Sequence, residues 1–186
     1  MFKTQIGIIG SAGLEEYPEG FIYPSRYLKT AEKMSYLLAK EDMIIFNGGK
    51  GGLMAAVAKG STKAKGISIA IRKGVNRFSS NKENTIEIFT GMITGGSEYM
   101  LPLCCDIIIS LGGGSGTLAE IVQAYRNKIP IIILKGFGGW SDKIDTFLDE
   151  RKTSEIFFAN NIEDVIRLAK YLKKQNKRCN YETYEC

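Results

Sequence analysis

The chain contains no histidine in 186 residues, a single tryptophan, four prolines, and no run of 18 consecutive apolar residues. Without an imidazole, every catalytic triad that relies on histidine is excluded, and zinc loses its commonest nitrogen ligand. Four cysteines are too few for a disulfide scaffold at this length, and none share a Cys-x-x-Cys spacing. Cys104 and Cys105 adjoin an apolar run, where packing is their expected role, whereas Cys179 and Cys186 fall in a polar stretch. No metal site is expected. The missing apolar run leaves no candidate membrane span, and Met1-Phe2-Lys3-Thr4 leads straight into a strand pattern with no secretory leader, so the expected location is cytoplasmic.

Charge is mildly basic, at a formal +5, with one concentration at Lys170, Lys173, Lys174, Lys177 and Arg178. A solvated helix face accounts for that cluster, and an aromatic-rich, arginine-lined stretch for single-stranded nucleic acid is lacking. Nucleic acid is therefore not an expected partner, while an anionic small molecule suits the charge.

Short apolar runs recur at Ile6 to Ile9, Met43 to Phe46, Ile67 to Ile71, Ile86 to Phe89, Ile107 to Ile109, Ile131 to Leu134 and Glu155 to Phe158. They are nearly continuous rather than alternating, which predicts strands covered on both faces. Helical patterns lie between them. Tyr27 to Lys40 repeats apolar residues at Leu28, Ala31, Met34, Leu37 and Leu38; Gly52 to Lys59 closes on Gly60; Asn161 to Lys174 carries Val165, Ile166, Leu168, Ala169 and Leu172. The polar, aperiodic segment from Arg72 to Asn84 reads as a surface loop able to order over a ligand. The predicted fold is α/β: one Rossmann-like, doubly wound and mostly parallel sheet of about seven strands. Residues 1–176 form the predicted nucleotide-binding domain, and 177–186 a polar C-terminal tail.

Of the 21 glycines, many cluster after the strands, where ligands bind in an open parallel sheet. The turns are Gly10-Ser11-Ala12-Gly13, Asn47-Gly48-Gly49-Lys50-Gly51-Gly52, Gly112 to Gly116, and Gly136-Phe137-Gly138-Gly139-Trp140. The third is the most informative, because Ser110 to Thr117 reads as strand, glycine turn, helix start. Glycines let the main chain approach an anion, and the following helix aims unpaired N–H groups and its positive dipole end at the same point. Gly113, Gly114, Ser115, Gly116 and Thr117 are accordingly the expected phosphate ligands. Gly10, Ser11, Gly48, Gly49, Ser97 and Trp140 are expected to surround the nucleoside part, with Trp140 or Tyr99 able to stack on a base or simply to pack. Neither Gly-x-Gly-x-x-Gly with a following acid nor a P-loop is present, which points away from dinucleotides and ATPases toward a mononucleotide or another phosphate-bearing ligand.

Glu120 is the one residue near that turn equipped for chemistry. Two readings stay open: a capping box with Thr117, or a catalytic carboxyl acting on water or on a developing ribose cation.

Gly113-Gly114-Ser115-Gly116-Thr117-Leu118-Ala119-Glu120, together with Gly48-Gly49-Lys50-Gly51-Gly52-Leu53-Met54, resembles the Lonely Guy family of cytokinin-activating phosphoribohydrolases. Leu134 to Lys143 looks closer to a prokaryotic branch of that superfamily, related also to molybdenum cofactor carrier proteins. The resemblance implies cleavage of the N-glycosidic bond of a modified adenosine 5′-monophosphate, with phosphate on the glycine loop and Thr117 and with Glu120 catalytic. It implies no metal or redox cofactor, and a homo-oligomer. Two departures stand out. The enzymes pair the glutamate with an arginine nine residues before the strand's aspartate, and counting back from Asp106 lands on Ser97. Gly112 stands where they usually carry proline. Arg72 and Arg126 are the alternative sources of charge. Loss of that arginine beside retained glycines is what a non-catalytic carrier or sensor of a nucleotide or of the molybdenum cofactor would show.

Overall fold

The succession of isoleucine-rich runs and amphipathic stretches folds, in the computed structural model, into one layered sheet; residues 2–14, 17–75, 81–93 and 95–175 are described. In chain order the elements are β1 (Gln5–Gly10), α1 (Tyr27–Lys40), β2 (Ile44–Asn47), α2 (Leu53–Lys63), β3 (Ser68–Arg72), β4 (Ile86–Phe89), α3 (Gly96–Leu103), β5 (Ile107–Leu111), α4 (Ser115–Arg126), β6 (Ile131–Leu134), α5 (Gly139–Lys143), β7 (Ile156–Ala159) and α6 (Ile162–Gln175). The seven strands run in the order β4-β3-β2-β1-β5-β6-β7, and every neighbouring pair is parallel. This is the predicted α/β Rossmann-like architecture, with the order reversing between β1 and β5.

Successive side chains of a strand point to opposite faces, so each strand feeds two cores. Ile6, Ile8, Ile45, Ile107, Ile109, Ile132 and Leu134 pack beneath α1, α2 and α6. Ile9, Phe46, Ile71, Ile108, Ile131 and Ile133 pack on the other side with Leu101 of α3 and Ile121 and Tyr125 of α4. Gly7 lies in the middle of β1, where an added Cβ would stand 2.5 Å from Ile108 Cδ1. The glycine lets α3 and β5 close over the strand.

Several sequence expectations shift. α2 does not stop before Gly60 but continues to Lys63, because Gly60 faces the backbone of α1 and a methyl there would strike the Glu32 carbonyl. Close helix contact, rather than helix termination, explains that glycine. α1 turns Tyr27, Ala31, Met34 and Leu38 inward and leaves Leu28 37% exposed. β4 is not covered on both faces: it is an edge strand whose Ile86 and Ile88 are each 46% exposed. Two helices lacked a readable pattern, α3 being eight residues with Pro102 inside it and α5 only five. Residues 76–80 of the predicted loop, and the tail 177–186 with Cys179, Cys186, Lys177 and Arg178, fall outside the described residues. No helix among the described residues is long and apolar enough to cross a membrane.

Candidate functional site

A cavity of about 330 Å³ opens at the carboxyl ends of β1, β2, β3 and β5, the size range of small-molecule sites. Its floor is Ile8, Ile9 and Gly10 of β1, and α4 supplies one wall through Gly114, Ser115, Gly116, Thr117 and Glu120. Opposite stand Gly48, Lys50 and Met54 from the β2–α2 turn and Arg72 and Lys73 from the end of β3. Ser97 and Glu98 of α3 close one end, and Ala12 and Tyr17 of the β1–α1 connection the other rim.

The α4 wall depends on backbone that only glycine adopts readily. Gly112 and Gly113 have φ of 64° and 90°, and the chain then extends at Gly114, the helix cap, whose φ is −98° and ψ −153°. That path points the start of α4 into the cavity. Gly114, Ser115 and Gly116 are exposed there, and among the described residues no protein acceptor is recorded for their N–H groups. Gly113 differs: it sits behind the wall, and its N–H is donated to Ser11 Oγ at 3.1 Å. Thr117 is buried, with its hydroxyl donated to the Gly10 carbonyl at 3.0 Å. The helix begins at Ser115 with Gly114 as its cap, so Thr117 is its third residue. The capping-box reading of Thr117 and Glu120 is thereby corrected: glycine, not threonine, starts the helix, and Glu120 lies a full turn inside it.

The turn is braced from behind. Tyr27, buried in α1, accepts the Ser11 N–H at 2.8 Å and donates to the Leu111 carbonyl at 2.9 Å, tying the ends of β1 and β5 together. Burial raises its phenol far above the ordinary tyrosine range. The fourth glycine turn serves as a strut rather than as a wall. Trp140 N–H donates to the Gly113 carbonyl at 2.9 Å, Ser141 N–H to the Gly112 carbonyl at 3.1 Å, and Ser141 Oγ to that same Gly112 oxygen at 2.7 Å. Gly139, at φ 62°, passes so close that a methyl would overlap the Gly113 carbonyl. The Trp140 indole itself lies away from the cavity lining, with the Lys143 ammonium 5.1 Å from its ring centroid.

The opposite wall is organised by side-chain amides. Fully buried Asn47 donates to Ser68 Oγ at 3.1 Å and Asn84 Oδ1 at 2.8 Å, and accepts the Gly49 N–H at 2.7 Å. Asn81 donates through its side chain to the Lys50 carbonyl at 2.6 Å and through its N–H to the Gly49 carbonyl at 3.1 Å. Arg72 is 4% exposed and donates from Nη1 to that Gly49 carbonyl at 2.6 Å. Gly49 therefore lies under Arg72 and does not reach the cavity. Arg126 is exposed on the last turn of α4 and is not part of the lining.

Two carboxyls share the α3–α4 end. Ser97 Oγ donates to Glu98 Oε2 at 2.9 Å, and a methyl on Gly116 would stand 3.9 Å from Glu98 Oε1. Glu120, one turn beyond Gly116 on the same helix face, is half-buried. Loss of water raises its pKa well above the usual carboxyl range, and the nearby charge of Glu98 adds to the rise. Glu120 and Glu98 therefore face the same cavity, and Glu120 holds its proton more tightly than an ordinary carboxyl. Among the described residues no three acidic or sulfur-bearing side chains gather as a metal ion would require.

Of the residues expected from sequence, Gly10, Gly48, Ser97, Gly114, Ser115, Gly116, Thr117 and Glu120 line one cavity, whereas Ser11, Gly49, Gly113 and Trp140 do not. Sequence reasoning missed Tyr17, Met54, Lys73 and the asparagine brace. Tyr17 lies in an aperiodic connection, and asparagines spaced along a loop carry no signal until the loop folds back.

An all-parallel sheet with its cavity at the strand carboxyl ends defines an α/β protein of the Rossmann-like class, built to receive a small ligand at the strand-order reversal. Residues 3–166 match the SLOG cluster4 family, and the chain belongs to that family. This agrees with the Lonely Guy-like resemblance. An uncharacterized protein of Archaeoglobus fulgidus is 32% identical over 137 residues, 73% of this chain and 82% of the relative. The crystal structure of TM1055 superposes with a TM-score of 0.81 at 28% identity, over 90% of this chain and 99% of that one. The molybdenum cofactor binding protein from the phototrophic bacterium Rippkaea orientalis superposes at 0.77 with 26% identity, over 92% and 98%. The chain is thus similar, within this superfamily, to a protein that binds the molybdenum cofactor.

Proposed function

We propose that the chain binds a small phosphate-bearing ligand, of nucleotide or molybdenum-cofactor type, and carries or senses it without cleaving it. One observation carries this reading: Gly114, Ser115 and Gly116 at the start of α4 line the same cavity as Lys50, Arg72 and Lys73. A phosphate there would meet main-chain N–H groups, the positive helix end and nearby cations. Non-cleavage is favoured by α3, which offers Ser97 and Glu98 where the resembling enzymes hold arginine. Neither side chain can supply the enzymes' positive charge. The Rippkaea orientalis protein is named for binding the molybdenum cofactor, which agrees with binding of such a ligand here.

The second reading, phosphoribohydrolase action on a modified adenosine 5′-monophosphate, rests on Glu120. A carboxyl at a cavity wall whose hold on its proton is strengthened by burial is suited to giving a proton to a departing base. The two readings separate when purified protein is incubated with AMP and with isopentenyladenosine monophosphate. The expected result is saturable binding, weakened about tenfold by Arg72→Met through loss of a charged donor, with no free base. Base release that stops in Glu120→Gln would establish the enzyme and remove the carrier. Failure of every phosphate compound to bind would remove both.

A further inference from the structure

One aromatic chain runs through the molecule from the back of the α4 turn to the far rim of the cavity. It begins at Phe137 after β6, whose ring lies 5.5 Å from that of Tyr27, and passes to Tyr23 at 5.3 Å. Tyr23 sets its edge against Phe21 at 5.6 Å and against Tyr17 at 6.3 Å, with interplanar angles of 89° and 82°. Phe21 and Tyr17 stack almost flat, at 3.9 Å and 9°. Its two central members are anchored by hydrogen bonds. Tyr27 is bonded to Ser11 and Leu111 behind the turn, and the Tyr23 hydroxyl donates to the carbonyl of Ala12, itself a cavity residue.

Tyr17 is the member of this chain that reaches the cavity. Phe21 covers one face of its ring, and the ring remains half-buried rather than enclosed. The same connection exposes apolar surface, with Phe21 39%, Leu14 52% and Ile22 83% exposed, so Tyr17 stands in an open, apolar part of the rim. A planar partner stacked on Tyr17 from the cavity would cover exposed apolar surface and meet a ring already held by Phe21 and Tyr23, which lowers the ordering cost of binding.

We propose that Tyr17, held flat by Phe21 and Tyr23, is the stacking surface for a planar heteroaromatic ring carried by the phosphate-bearing ligand. The inference rests on the reading of a phosphate at the start of α4, and it adds the side chain that receives the ring of such a ligand. A purine and a pterin both present such a ring. Sugar phosphates without one should lack this contact.

Calorimetric titration with ribose 5-phosphate, AMP and 6-hydroxymethylpterin phosphate tests it on wild-type protein and on Tyr17→Leu and Tyr17→Phe. At least one ring-bearing compound is expected to bind the wild type about tenfold more tightly than ribose 5-phosphate, the usual worth of one aromatic stack. Tyr17→Leu should remove that advantage while leaving ribose 5-phosphate unchanged, and Tyr17→Phe should keep it. Which ring gains distinguishes the purine from the pterin. If ribose 5-phosphate binds but Tyr17→Leu leaves the ring advantage intact, or weakens all three compounds equally, the stacking surface is wrong and the phosphate seat stands. If none of the three binds the wild type, the seat itself is wrong and the stacking proposal falls with it.

Discussion

On the α4 side of the cavity, the wall is main chain shaped by left-handed glycines and braced by Ser11, Tyr27 and the Gly138–Ser141 strut. On the β2–β3 side, the Gly48–Gly52 turn is held by Asn47, Asn81 and Arg72 through their side chains. In the first arrangement Gly139 is pressed against the Gly112–Gly113 backbone and Gly113 against the Thr117 side chain, whereas Gly114 has open space around it. The second is also tight, at Gly49 beneath Arg72 and at Gly52 against the Ala12 carbonyl, and it depends in addition on particular donors and acceptors. Both walls are accordingly sensitive to volume at particular glycines, and the amide-built wall is sensitive to hydrogen-bonding chemistry as well.

The sharpest way to break that contrast is Gly139→Ala. A single methyl would have to occupy the space of the Gly113 carbonyl at a φ of 62°, adding backbone strain to overpacking at a combined cost of about 3 kcal/mol. Thermal unfolding is expected about 10 °C lower, with loss of AMP binding; a drop of under about 2 °C would show that the strut yields. Next comes Asn47→Ala. It strips partners from the Gly49 N–H, Ser68 and Asn84, and unsatisfied buried groups of this kind cost about 2 kcal/mol. Urea unfolding should register it, whereas Asn47→Asp should recover only the bond from Gly49.

A smaller effect sharpens the comparison by pH. The Glu120 carboxyl titrates higher when folded than its ordinary 4.5, so its protonated form contributes stability fully below that value. The contribution is lost as pH rises through the raised folded pKa, because the unfolded chain then holds fewer protons. Glu120→Gln, which cannot ionise, is therefore expected to melt about 2–4 °C above wild type near pH 8, roughly 1 kcal/mol, and level with it near pH 4. Equal melting at both would place the carboxyl in water. The least effect belongs to Trp140→Ala. The N–H that props Gly113 is main chain and survives, while the indole gives up an exposed cation–π contact worth about 0.5–1 kcal/mol. AMP affinity should stay within about twofold; a larger change would return the indole to the cavity.

The strand runs and the amphipathic helices were legible because isoleucine-rich segments between helical repeats have few places to go other than a sheet covered on both faces. Glycine turns after those strands were legible for a similar reason: a left-handed backbone needs glycine locally, whatever surrounds it. Edge and centre were not distinguishable that way, as Ile86 and Ile88 read like core and lie on the outermost strand. Nor could spacing tell a glycine that ends a helix from Gly60, which admits a neighbouring helix.

The amino-acid order by itself determined the α/β class, the location of the glycine turns and the carboxyl at Glu120, all properties of short stretches of chain. Tertiary structure alone decided which turn became a wall and which a strut, that Gly113 gives its N–H to Ser11, that Arg72 arrives from β3, and that Tyr17 meets the cavity. Those outcomes join residues far apart in sequence, and nothing in local propensity or periodicity encodes a distance across the sheet.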